Sequence, residues 1–333
     1  MKKFIFFAVL LLLFVFALFQ FDMQAVLESL KQTSIGTLAI LVLLQIISLY
    51  LINIQWHQIV KSRNADISFR DMFYINCQGN VVEAVVPGAK IGGNAARAVQ
   101  IHRMGNCPGE QAASFVLVQK LFSLSAFFLL SLFAVYYIIG QASFLQARSL
   151  QILLYGIIIL CLLLFSGIFI FPQQIKGYLK KKEKFRFKWL AKVVGFLLTI
   201  LEQVIYFHKN LNLCIKLLFL SAVIWLIYPL KMYLLIMHVF PGVNVIYISA
   251  ITFFSYTVSI IPIFPGGLGG FEGTMIALLL AIGILAGDAL AVTILFRLIT
   301  FWFVTLFSFL YVLFYRIKYT GGDSVQKEGP VKI

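Results

Sequence analysis

The chain has 333 residues, 62% of them hydrophobic and only 12% charged, against about 45–50% and about 25% in soluble globular domains. That balance excludes a soluble fold and describes an integral membrane protein. The net charge of +15 does not point to nucleic acid, because the basic residues gather in short loops between apolar runs, where they set topology and meet anionic lipid head groups.

Cys77, Cys107, Cys161 and Cys214 are far apart, and His57, His102, His208 and His238 equally so. They supply neither a disulfide framework nor metal-ligand spacing, so no metal and no cofactor is expected. A membrane helix needs about 20 apolar residues, and the apolar runs here suffice for about six to eight membrane segments. The expected fold is an all-α polytopic bundle, with residues 1–320 as one membrane domain and 321–333 as a disordered tail.

In chain order, Phe4 to Phe19 carries no charge and no Ala-x-Ala cleavage site follows it, so it reads as a retained span with a cytoplasmic N-terminus. A second span runs from about Ile35 to Ile54, and the basic turn with Lys61, Arg63 and Arg70 returns the chain to the cytoplasm. Met72 to Pro87 is too polar for a lipid-facing span, with Asn76, Gln78, Asn80 and Glu83 among its apolar residues. It ends in a break, Pro87 to Arg97, rich in glycine. A long apolar segment, Ala112 to Ile139, carries Gln119 and Lys120; snorkelling accounts for the lysine without a function.

A span from about Ile152 to Phe171 leads into the basic cluster Lys176 to Lys192, the strongest cytoplasmic marker in the chain. Val193 to Cys214 mixes polar and apolar residues and reads as a helix lying at the membrane interface. The next span, Leu217 to Val239, is expected to kink near Pro229, with Lys231 snorkelling outward. Ile246 to Ile261 precedes a second break, Pro262 to Gly273, with two prolines and five glycines that cannot continue a helix. A half-helix to Leu285 and a last span from about Ala289 to Tyr315 follow, and Arg316 and Lys318 place the C-terminal end in the cytoplasm of a multi-pass inner-membrane protein.

The two breaks share an order of residues: Pro-Gly, a few residues, Gly-Gly, then a small or acidic start to a new helix. They are read as two re-entrant or broken-helix hairpins, either as an inverted repeat or as two unrelated glycine-rich loops. Irregular backbone at membrane depth survives only where protein or a watery cavity covers it, so the hairpins are expected to enclose a charged hollow. The binding candidates are Lys90, Gly92, Gly93, Arg97, Lys120, Gly266, Gly267, Gly269, Glu272 and Arg297. Free amides at helix starts and a two-pronged guanidinium suit a phosphate. Two plainer readings stand beside this one: Glu272 as a capping carboxylate, and Arg297 as its internal ion-pair partner. For the glycines the plainer reading is close backbone approach.

The element Pro265-Gly266-Gly267-Leu268-Gly269-x-x-Glu272, with Arg297 in the final helix and Pro87-Gly88 ahead of Arg97, resembles the membrane region of lysylphosphatidylglycerol synthases. That region also exists as stand-alone flippase-like proteins, and the similarity runs over most of Phe4 to Tyr315. The resemblance implies a bundle that moves an aminoacylated or otherwise modified phospholipid, or a polyprenyl-linked lipid, between leaflets. In the synthases a soluble C-terminal domain carries out aminoacyl transfer, and this chain is expected to lack it.

Two places depart from the family pattern. The family's first motif usually reads Pro-Gly-Arg-x-Gly-Glu, where this chain has Ala89-Lys90 and Gly92-Gly93-Asn94. Its Glu-Arg-Leu in the next helix is Gln119-Lys120-Leu121 here, so an acid is missing at both. Membrane lipids, anionic, modified or polyprenyl-linked, are the expected partners, and a second copy of the chain or a separate lipid-modifying enzyme is left open. The alternative is a membrane enzyme or enzyme subunit transferring aminoacyl or glycosyl groups to lipid-linked substrates, with Glu83 or Glu272 as its base. A scaffold without transport is a third reading.

Overall fold

The computed structural model of the chain describes residues 33–86, 91–139, 148–181, 188–259 and 269–320. The first predicted span, the C-terminal tail, and Lys90, Gly266 and Gly267 lie outside them. Regular structure among the described residues is helical, with no strand: α1 (Ile35–Lys61), α2 (Phe69–Val85), α3 (Ile91–Met104), α4 (Gly109–Ile139), α5 (Arg148–Ile170), α6 (Pro172–Lys181), α7 (Lys188–Lys209), α8 (Leu211–Ile236), α9 (Val245–Ser259), α10 (Gly270–Ala281), α11 (Ala286–Arg297) and α12 (Phe303–Tyr315). Four stretches among the described residues are long and apolar enough to cross a membrane: Ile35–Lys61, Gly109–Ala134, Leu211–Ile236 and Ala286–Tyr319.

Local chemistry accounts for the helix boundaries. The hydroxyls of Ser34 and Ser68 accept from the amides of Thr37 and Asp71 at 3.1 and 3.2 Å, and the Asn210 side chain accepts from Leu213 at 3.3 Å, each satisfying an orphan amide of a first turn. Asn64 and Asn106, just past α1 and α3, take left-handed φ of 57° and 46°, which asparagine tolerates at helix ends. The Asn210 cap corrects one predicted boundary: Leu211 to Cys214 opens α8 and does not belong to the preceding polar helix. That helix, α7, turns Leu201, Val204 and Phe207 into the bundle, while its exposed Glu202 accepts from Lys176 at 2.8 Å. The adjacent ammonium holds the Glu202 carboxyl below its usual range.

The bundle has a basic end and a far end. At the basic end Arg63 lies over Tyr206 (4.6 Å), Arg70 over Tyr319 (3.9 Å), and Arg316 Nε donates to Tyr74 at 3.2 Å. At the far end Thr37 bonds His238 at 2.8 Å, and Asn244 donates to Tyr137 at 3.1 Å. Each end has its own core: Trp56, Ile59, Met72, Phe115 and Phe207 at the basic end, and Leu41, Phe127, Met232, Ile251 and Phe296 at the far end.

This polarity orients the two pairs of helices that flank the breaks. α2 and α3 run antiparallel, with Gly79 against Arg97 and Gly93 against Glu83, and their outer ends meet where Ile67 covers Gly105. The pair therefore starts and finishes at the basic end. α9 and α10 also run antiparallel, with Tyr256 beside Phe271 (4.8 Å) and Ser255 beside Met275 (3.8 Å). Because α9 begins near Tyr137 and α10 leads to Gly283 (φ 89°) and Ile284 in the far core, this pair starts and finishes at the opposite end. At about 1.5 Å per residue each of these helices is shorter than the roughly 30 Å hydrocarbon layer.

The last helix is longer than predicted and not uniformly α. It begins at Ala286, and directly after Arg297 it widens into a π-turn over Leu298–Trp302 before continuing as α12 and ending in a second π-turn, Arg316–Thr320. Such turns appear mostly as single-turn bulges inside α-helices, frequently at functional sites. Pro229 sits inside α8 without ending it.

Candidate functional site

Gly269, whose φ of 86° suits glycine, precedes the first turn of α10. Glu272, in the first turn, folds back so that its Oε2 accepts from the Gly269 amide at 2.7 Å, half of a capping box. Its other oxygen, Oε1, accepts from Arg297 Nε at 2.5 Å, and both side chains are over 90% buried. Glu272 is thus cap and ion-pair partner together, the two plainer readings of the sequence at once. Phe271 and Phe301 cover the guanidinium at 4.9 and 5.0 Å, favourable for a desolvated cation.

The cluster at the α2/α3 pair has the same residue types arranged more loosely. Arg97 is 6% exposed and spreads its bonds over three acceptors: Asn80 at 2.6 Å, Asn94 at 3.1 Å and Glu83 at 3.4 Å. Its Nε finds no acceptor among the described residues, and the Glu83 side chain keeps 20% of its surface exposed. Glu83 and Asn94 explain how the chain does without the acid expected near Asn94. The amide oxygen of Asn94 takes one bond, and the carboxylate comes from across the hairpin. Asn80 also donates to Ser308 on α12 at 3.1 Å, so the Arg97 cluster rests on the same last helix that carries Arg297, about 16 Å along it.

Aromatic rings lead from α8 to the Arg297 pair. Beside that pair, Tyr228 of α8 lies 5.2 Å from Tyr256, and Tyr256 lies 4.8 Å from Phe271 beneath Arg297. An open groove of about 480 Å³ runs along the outer face of α1 between Ile35 and Ile46, lined by apolar residues. It is not the charged hollow that the sequence leads one to expect.

The remaining candidates separate as follows. Gly92 and Gly93 lie inside the first turn of α3, not in the break, and serve close approach: a Cβ on Gly93 would fall 2.6 Å from the Gly79 carbonyl, and one on Gly92 3.0 Å from Val86. Lys120 is partly buried on α4. Its neighbour Gln119 donates to Gln55 at 3.0 Å, and Gln55 in turn donates to Ser221 at 2.5 Å, a polar seam joining α4, α1 and α8. Lys90, Gly266 and Gly267 are outside the described residues.

One sequence expectation is overturned. Lys231 does not snorkel outward: it is fully buried, donates to Gln45 Oε1 on α1 at 2.5 Å, and lies 4.3 Å from the Tyr228 ring. A lone glutamine in one apolar run and a lone lysine in another were the signal available in the sequence, since either alone is costly at membrane depth.

Residues 4–308 match the family described as the lysylphosphatidylglycerol synthase TM region. Similar chains include the UPF0104 membrane protein of Methanocaldococcus jannaschii, 24% identical over 284 residues, 81% of this chain and 82% of that one. That of Pyrococcus horikoshii is 24% identical over 336 residues, 94% of this chain and 97% of its own.

Proposed function

The chain belongs to the family of the lysylphosphatidylglycerol synthase transmembrane region, and from that premise we propose that it moves a phospholipid or polyprenyl-linked lipid between leaflets. In this reading the α2/α3 and α9/α10 pairs are re-entrant hairpins related as an inverted repeat, within one membrane domain spanning residues 1–320. The basic end faces the cytoplasm, as the positive-inside rule requires. The head-group phosphate is held between the breaks by Arg97 and Arg297, with Lys90, Gly92, Gly93, Lys120, Gly266, Gly267, Gly269 and Glu272 around it.

The observation that carries the reading is the pair of buried arginines at helix pairs that enter from opposite ends. Arg97 is the better anchor, because its carboxylate is long at 3.4 Å and its Nε is unmatched, so a phosphate oxygen can take over an acceptor's place. The test is reconstitution of the purified chain in vesicles containing a fluorescent phospholipid, with an impermeant quencher reporting the outer leaflet. Leaflet exchange should exceed that of protein-free vesicles, and Arg97→Gln should slow it roughly tenfold or more, the equivalent of one charge-assisted hydrogen bond. Exchange no faster than in empty vesicles overturns the proposal.

A further inference from the structure

Among the described residues the buried charges do not cancel. Arg97 is paired with Glu83 and Arg297 with Glu272, but no ion pair joins Lys231 to a carboxylate among the described residues. What surrounds Lys231 is a neutral amide oxygen from Gln45 and the face of Tyr228. An ammonium in that setting lacks the anion that would offset its desolvation. Two events relieve it: loss of the proton, or arrival of an anion. A lipid phosphodiester carries one negative charge, which equals the one positive charge that Lys231 adds when protonated.

Resting on the translocase reading above, we propose that Lys231 binds one proton together with each monoanionic phospholipid, so that lipid movement through this chain is proton-coupled and electrically neutral. The proton enters Nζ from water on one side when the head group arrives, and returns to water on the other side when the lipid leaves. No bond to phosphorus is made or broken. Gln45 accepts from Nζ with or without the extra proton, so the site keeps its geometry in both states.

Few other ionisable groups compete for that proton. Tyr228, Tyr233 and Lys216 lie on the same helix, His238 just past its end bonds Thr37, and Tyr256 on α9 touches Tyr228. Arg297 on α11 and Glu272 on α10 stand beyond Tyr256 and neutralise each other. On α4 the nearest cation by level is Lys120, placed about two to three turns toward the basic end by the Trp225 to Ser123 bond. On α1 Tyr50 is five residues from Gln45 and exposed, and His57 and Lys61 are at least twelve residues away. On α7 they are Glu202 and Lys209, toward the basic end.

The experiment uses the full chain in vesicles holding fluorescent phosphatidylglycerol, with either a pH gradient or a potassium diffusion potential imposed. For wild type, a gradient of one pH unit should drive about tenfold leaflet asymmetry, the equilibrium value for one proton per lipid, and the potential should drive none. Lys231→Met should abolish the response to the pH gradient; an apolar residue of similar volume is tolerated in such a core, and a monodisperse gel-filtration profile confirms folding. Lys231→Arg, permanently charged, should exchange the pH response for a response to potential. A pH-driven response retained by folded Lys231→Met, or wild-type movement that follows the potential and ignores pH, overturns the coupling while leaving translocation intact. No movement under any condition overturns translocation, and the coupling with it.

Discussion

In the α9/α10 pair the arginine comes from outside, on α11, and meets a carboxylate already bonded to the backbone of its own helix cap. In the α2/α3 pair the arginine and its carboxylate both belong to the pair, 3.4 Å apart, and two asparagines share the guanidinium. Similar stretches of sequence thus build a clasp at one break and an adaptable cradle at the other. The glycines differ in the same sense. At the first pair they let the two backbones touch; at the second, a methyl group on Gly273 would meet nothing within 4 Å, and Gly269 is there for its φ. The lesson is that similar stretches of sequence leave it to the neighbouring side chains to decide how firmly their charges are held.

The largest effect should follow from opening the clasp. Arg297→Ala leaves Glu272 buried and unpaired, at a cost of about 3–5 kcal/mol, read as a large drop in thermal stability in detergent. The double change Arg297→Met with Glu272→Met should recover most of it. If Arg297→Ala proves as mild as the corresponding change at Arg97, the distinction between the two pairs fails.

Arg97→Ala should cost less, about 1.5–3 kcal/mol, as expected for hydrogen bonds to a charged group whose acceptors retain other partners or some solvent. Its folded fraction should nonetheless lose lipid exchange, which separates a ligand role from a structural one.

The glycines give the smallest and sharpest contrast. Gly93→Ala must push α3 away from the Gly79 carbonyl and should destabilise by about 1–3 kcal/mol. Gly273→Ala meets open space in a helix and should stabilise by about 0.4–1 kcal/mol, both measured by the same thermal assay. Equal effects would mean that the two hairpins pack alike.

Much of this fold was legible in the residues themselves. The apolar runs foretold the four stretches among the described residues that are long and apolar enough to cross a membrane, and the scattered Arg and Lys foretold an end to which basic loops gather; α10, however, begins at Gly270, inside the glycine cluster read as a break. The pairing of Arg297 with Glu272 was also readable, because each would be costly alone in an apolar setting. The burial of Lys231 was signalled only by its cost in an apolar run: its place in the second half of its span suggests snorkelling, and only the rotation of α8 against α1 turns its side chain onto Gln45.

Sequence by itself determined the class of this protein and which stretches are too polar to face lipid, because those follow from composition and desolvation acting residue by residue. Tertiary structure alone decided that Arg97 draws on Glu83 and Asn80, that the two broken pairs open toward opposite ends, and that Lys231 faces inward. Those depend on which helix faces lie against each other, a property of the packed bundle and of no single segment.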